Sequence, residues 1–128
     1  VSSTFSLTDE AIAYDITSTA LDGDPTINVV FALEEYTAGG VAPAIEDHPG
    51  VRFIALGNTR YEIQLLEEST IDALVVVNAF NLGYRSVLAA VDLLEGKKPA
   101  QQPVDWALVT KESMFSEEHQ RLLFQSIQ

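Results

Sequence analysis

Three short apolar runs, each followed by residues at helical spacing, constrain this chain most. They are residues 27–32 (INVVFA), 51–56 (VRFIAL) and 71–77 (IDALVVV). Their apolar character is nearly continuous rather than alternating. That is the pattern of strands buried on both faces of a parallel sheet. Residues 104–109 (VDWALV) form a fourth run, and residues 1–5 read as a frayed first strand. Strands that alternate with helices predict an α/β architecture, a three-layer sandwich around a mainly parallel sheet.

The helices have recognisable ends. Thr8 is the expected N-cap of the first, with Asp9 and Glu10 at its positive end. Ile12, Ile16 and Ala20 recur at i, i+4, i+8, which predicts the buried face. Asp22, Gly23 and Asp24 read as a helix-stop turn, because Ile27 stands where a calcium loop needs its glycine. A second helix over 35–47 contains Gly39, Gly40 and Pro43. An interior proline costs ~3 kcal/mol, so this helix is expected to bend or to start late enough to hold Pro43 in its first turn. Gly39 and Gly40 read as a close approach to a neighbour rather than a phosphate loop. A third helix covers 60–67 and a last one 116–124. The fourth, 81–95, has Asn81 as its expected cap and an apolar face of Tyr84, Val87, Leu88, Val91 and Leu94. That face must be covered, either by folding back on the chain's own sheet or by a second copy in a homodimer. Residues 96–103 (GKKPAQQP) are the most linker-like.

Charge and composition remove several classes of function. Nineteen acidic residues against seven basic ones give a net charge of −12, which argues against binding nucleic acid or an anionic membrane surface. The absence of cysteine excludes a disulfide scaffold, a thiol nucleophile and a cysteine zinc site. Purely apolar runs reach only five residues, as at 73–77, far below the ~20 residues of a membrane span. The chain opens on valine with no signal-peptide pattern, which reads as a trimmed or truncated product.

Enzyme signatures are missing. There is no GxSxG, GxxxxGK[ST] or HExxH pattern. His48, before Pro49 and Gly50, reads as a turn residue, and His119 as a solvated one. No metal site, cofactor or catalytic residue is expected. In an open parallel sheet, ligands bind beyond the carboxyl ends of strands. Three such ends carry polar residues: Glu34 after the first run, Asn58 after the second and Asn78 after the third. The two asparagines offer both donors and acceptors, which suits a neutral polyhydroxylated ligand. Tyr36 and Phe80 are placed to stack on a sugar face. These five residues are the candidate ligand site, expected to converge on one edge of the sheet. Glu35 reads instead as helix N-terminal charge.

The order of motifs resembles a known family. DPTINVVFALEEYTAGGVAPAIED, VRFIALGNT, IDALVVVNAFNLGYRSVLAAVDLLEGKKP and VDWALVTKESM together are similar to the type I periplasmic sugar-binding proteins, close to the ribose-binding group. Their fold is shared with the effector domains of lactose-repressor-like regulators. The resemblance runs to about Met114 and is most specific over residues 78–83 and the LLEGKKP helix end.

It implies a two-lobed receptor that closes about a hinge on a small solute, with no covalent step. The parent protein would be extracytoplasmic and would serve a membrane transporter or sensor. This chain would be the partial C-terminal lobe, lacking that lobe's first strand and helix, with 79–104 a crossover segment of the other lobe. The alternative is the effector domain of a cytoplasmic regulator. Where the family places a sugar-binding aspartate this chain has Gly57, and where it places a glutamine it has Val77 followed by Asn78. Glu34 stands where the family has a polar residue.

Overall fold

The computed structural model describes residues 1–100 and 103–124. Residues 101 and 102 of the linker-like stretch lie outside that description. In chain order the elements are α1 (Glu10–Gly23), β1 (Val29–Ala32), α2 (Glu35–Glu46), β2 (Arg52–Leu56), α3 (Arg60–Glu68), β3 (Ala73–Val77), α4 (Ala79–Leu94), β4 (Trp106–Val109) and α5 (Glu117–Leu123). All four internal runs become strands and each expected helix forms. Residues 1–5 form no strand. The sheet order is β1-β2-β3-β4, with β1, β2 and β3 parallel and β4 antiparallel to β3.

One face of the sheet holds the core. Ala32, Phe53, Ala55, Leu74, Val76 and Val109 are buried on it, under Val41 and Ile45 of α2, Ile63 and Leu66 of α3 and Leu123 of α5. The other face stays open, contrary to the expectation of burial on both sides. Val29, Phe31, Leu56, Trp106 and Leu108 are exposed there. The reason is handedness. β1 to β2 and β2 to β3 are steps in the same direction, and right-handed crossovers then put α2 and α3 on the same face. Among the described residues, none forms the third layer of the sandwich.

Helix starts depart from expectation in two places. Thr8 does not cap α1. Leu7 and Thr8 take left-handed backbone angles, φ 55° and 63°, in a turn that ends before the helix. Asp9 is then extended and its carboxylate accepts from the Ile12 amide at 2.9 Å. The buried stripe shifts with it to Ala13, Thr17 and Leu21. Likewise Asn78, not Asn81, caps α4: Asn78 Oδ1 accepts from the Asn81 amide at 2.9 Å.

Pro43 lies inside α2, which begins at Glu35, so the late start does not occur. The Gly39 carbonyl, four residues earlier, loses its helical donor. Burial of Ala38, Val41, Ala42, Ala44 and Ile45 around it offsets that loss. Gly40 explains how α2 seats against α1. A Cβ there would stand 2.7 Å from Ala13 Cβ and 2.8 Å from the Tyr14 amide. The Gly-Gly pair is thus the close approach read from the sequence. His48 closes the same corner: Nδ1 lies 2.8 Å from the Ala44 carbonyl and Nε2 3.1 Å from Asp22, and both partners raise its pKa. His119 is half-buried, with Nδ1 3.0 Å from the Ser113 carbonyl, so it is not freely solvated.

Among the described residues, nothing covers the apolar face of α4. No α4 residue is buried, and Tyr84, Val87, Leu88, Val91 and Leu94 are all exposed. Folding back onto the sheet is therefore not what this chain does. Polar ties hold the helix instead. Asn81 Nδ2 donates to Asp105 at 2.7 Å, and Arg85 reaches the Pro103 carbonyl at 2.8 Å and Asp105 at 3.3 Å. No helix among the described residues is long and apolar enough to cross a membrane.

Candidate functional site

Because β1, β2 and β3 run parallel, residues just past their ends fall on one edge of the sheet. Glu34, Asn58 and Asn78 all lie on this edge, and each is half-buried. β4 runs the other way, so its start, Asp105 and Trp106, reaches the same edge, with Trp106 in register with Val77. Tyr36 and Phe80 sit in the first turns of α2 and α4 and are exposed.

Each of the three polar side chains already serves the fold. Glu34 is the N-cap of α2, accepting from the Tyr36 amide at 3.1 Å and the Thr37 hydroxyl at 2.8 Å. Asn78 is the N-cap of α4. Asn58 Nδ2 donates to the carbonyls of Leu122 and Leu123 at 3.2 and 3.5 Å, which ties α5 to the end of β2. The two caps still have capacity, since a carboxylate accepts at several positions and an amide both donates and accepts.

Glu62 was not singled out from the sequence, although Thr59-x-x-Glu62 is a capping-box pattern. It is fully buried. Oε2 accepts from the Thr59 amide at 2.9 Å and the Thr59 hydroxyl at 2.8 Å, and Oε1 is buried without a partner among the described residues. A Cβ at Gly57 would come 2.7 Å from the Glu62 carboxyl carbon. The Glu62 carboxyl thus fills the space that a side chain at 57 would enter, and this packing requires glycine. Burial pushes the Glu62 pKa up. The two Thr59 hydrogen bonds pull it down, and the nearby charges of Glu35 and Glu34 add to the rise.

The sign of its pH dependence follows. In acid, folded and unfolded chains both hold the proton. As pH climbs above the ordinary value of 4.5 toward the raised folded one, the unfolded chain releases its proton first, so stability falls. Glu62→Gln keeps an acceptor for Thr59 without the charge. The variant is expected to match the parent at about pH 4 and to melt higher at about pH 7. Melting curves at both pH values check this; equal melting at both would contradict it.

Two pockets flank the sheet. One of about 460 Å³ lies at the amino ends of the strands, beside the Arg52–Asp72 ion pair. The other, of about 560 Å³, opens on the edge described above, between the end of β3 and α5. Asn78, Asp105, Trp106, Glu118 and Arg121 line it. Of these, only Asn78 was expected from the sequence. Trp106 was readable as the single tryptophan of the chain, but its place at this edge depends on β4 being antiparallel. Among the described residues, no group of three or more His, Cys, Asp or Glu could hold a metal ion.

A family model described as a periplasmic binding protein domain matches residues 1–98. The chain belongs to this family. No curated protein sequence matches it. As a periplasmic binding protein domain it is similar to several solved structures. An ABC transporter solute-binding protein from Agrobacterium vitis, with bound D-fucose, is 22% identical with a TM-score of 0.80, over 97% of this chain and 44% of that one. A carbohydrate transporter solute-binding protein from Agrobacterium radiobacter, in complex with D-arabinose, is 25% identical with a TM-score of 0.74, over 91% and 41%. A glucose-galactose binding protein from Geobacillus stearothermophilus is 23% identical with a TM-score of 0.75, over 87% and 41%. This domain therefore spans less than half the length of these relatives. None of the three is described as a regulator, so the regulator alternative gains no support from them.

Proposed function

We propose that this periplasmic binding protein domain forms one wall of a ligand cleft in a two-lobed, extracytoplasmic receptor. The receptor captures a small polar solute, a sugar, by closure about a hinge and presents it to a membrane transporter or sensor. Capture is reversible and involves no covalent step. The observation that carries this reading is the single sheet edge on which Glu34, Asn58 and Asn78 lie beyond three parallel strand ends. Tyr36 and Phe80 flank it with exposed rings.

In the same reading, residues 79–104 belong with the other lobe. The exposure of the whole apolar face of α4 supports this, because that face is shaped for a partner that the other described residues do not supply. In the isolated chain, a second copy takes that partner's place and gives a homodimer.

The test is melting of the full-length parent against D-fucose, D-arabinose, D-galactose and polyols. A true ligand at about a hundred times its Kd stabilises by about 2.7 kcal/mol and raises Tm accordingly. A flat response to every sugar and polyol would refute sugar capture. The isolated chain is expected to bind the same sugars far more weakly, since it offers one wall of the cleft. Micromolar binding of any monosaccharide by the isolated chain would contradict the two-lobed arrangement.

A further inference from the structure

We infer that Glu62 is a positioning residue for the ligand edge: its carboxyl group, in the protonated form, fixes the turn that presents Asn58, so that capture takes up a proton. The inference rests on the solute-binding reading above and names a residue that sets how its site responds to pH. Asn58 stands between two residues that the same carboxyl group holds. On one side, Thr59 donates to Glu62 Oε2 through its amide at 2.9 Å and its hydroxyl at 2.8 Å. On the other, the carboxyl carbon lies 2.7 Å from the place of a Cβ at Gly57, whose amide donates to the Val75 carbonyl at 3.1 Å. The turn is therefore held between β3 and Glu62. Asn58 Nδ2 is engaged by the Leu122 and Leu123 carbonyls, so its amide oxygen is what it offers a ligand hydroxyl.

The surroundings of Glu62 favour the proton. The residue is fully buried, and Oε1 has no partner among the described residues. A buried carboxylate oxygen without a donor is costly, and the acid form removes the charge. The charged groups that act on it, Glu35 and Glu34 at the start of α2, are both acidic. β3, which also packs on α3, carries no ionisable residue. Arg60, at the start of α3, is exposed. The Thr59 hydrogen bonds favour the carboxylate, and burial outweighs them. In the open receptor, an ionised Glu62 can reach water by loosening the turn. Closure of a second lobe over this edge withholds that water and strengthens the repulsion from Glu34 and Glu35. The sign of the effect follows. While the pH is low enough for open and closed forms both to hold the proton, affinity is constant. Above that, closure must take up a proton, and affinity falls as pH rises.

The test uses whichever of D-fucose, D-arabinose and D-galactose raises the melting temperature of the full-length parent. Calorimetric titration in two buffers of different ionisation enthalpy, at about pH 5 and about pH 7.5, measures affinity and proton uptake together. Affinity is expected to be about tenfold lower at the higher pH. Glu62→Gln, which keeps an acceptor for Thr59, is expected to bind without proton uptake and without pH dependence. Glu62→Ala, which lacks that acceptor, is expected to bind more weakly at both pH values. In the isolated chain, the Glu62 carboxyl resonance and the Asn58 side-chain amide resonances are expected to titrate with one midpoint. An affinity independent of pH in the parent, or a Gln variant that keeps the parent's pH profile, would overturn the inference and leave the receptor reading intact. Asn58 resonances that stay fixed while Glu62 titrates would overturn the positioning role. No melting response to any sugar would overturn the receptor reading and the proton linkage with it.

Discussion

Gly40→Ala is expected to destabilise the fold by about 2–3 kcal/mol, although alanine is the better helix former by about 1 kcal/mol. The two effects have opposite signs, and geometry decides between them. A methyl group at Gly40 would meet Ala13 Cβ at 2.7 Å and the Tyr14 amide at 2.8 Å, and it would press on the Glu10 carbonyl. Two of these three are backbone groups inside α1, so no rotamer change relieves the clash. α1 must lift from α2, and Ala13, Thr17 and Leu21 lose their cover. Gly23→Ala is the control, because nothing lies within 4 Å of a Cβ there. Urea unfolding of both variants reads the difference. A higher midpoint for Gly40→Ala would mean that α1 does not seat on α2 as described.

The isolated chain is expected to scatter light at twice 14.0 kDa. Full burial of Tyr84, Val87, Leu88, Val91 and Leu94 is worth on the order of 7–15 kcal/mol, comparable with the whole stability of a domain. Leu88→Asp together with Val91→Asp places charge in the middle of that face and is expected to give a monomer with α4 still helical by circular dichroism. The same pair in the full-length parent is expected to weaken packing between the lobes rather than to change oligomeric state. A clean monomer of the unmodified chain at micromolar concentration would exclude the dimer.

The strands were legible because residues 27–32, 51–56 and 71–77 combine β-branched side chains with turn residues at their ends. What the runs could not tell was which face would be covered. Val29 and Phe31 are as apolar as Val30 and Ala32, and the difference in burial comes from the direction of the crossovers. The sheet edge was legible for a related reason: the end of a parallel strand is a position in sequence. Glu62 was hidden because its burial depends on Gly57, five residues earlier, leaving room for a carboxyl group. The caps at Asp9 and Asn78 were each misplaced within one helical turn. Thr8 and Asn81 are also capping residues by type, and the backbone angles that exclude Thr8 arise only in the folded turn.

Glu34 and Asn78 are helix caps on the very edge proposed to meet the ligand. A mutation that retunes the solute at either position also removes a cap, with a loss of about 0.5–2 kcal/mol. Folded proteins hold only about 5–15 kcal/mol in reserve, so few such steps are tolerated in succession. A lineage moving to a new sugar would therefore change first at positions with no capping duty, such as Tyr36 and Phe80, and reach the caps only after stabilising substitutions elsewhere.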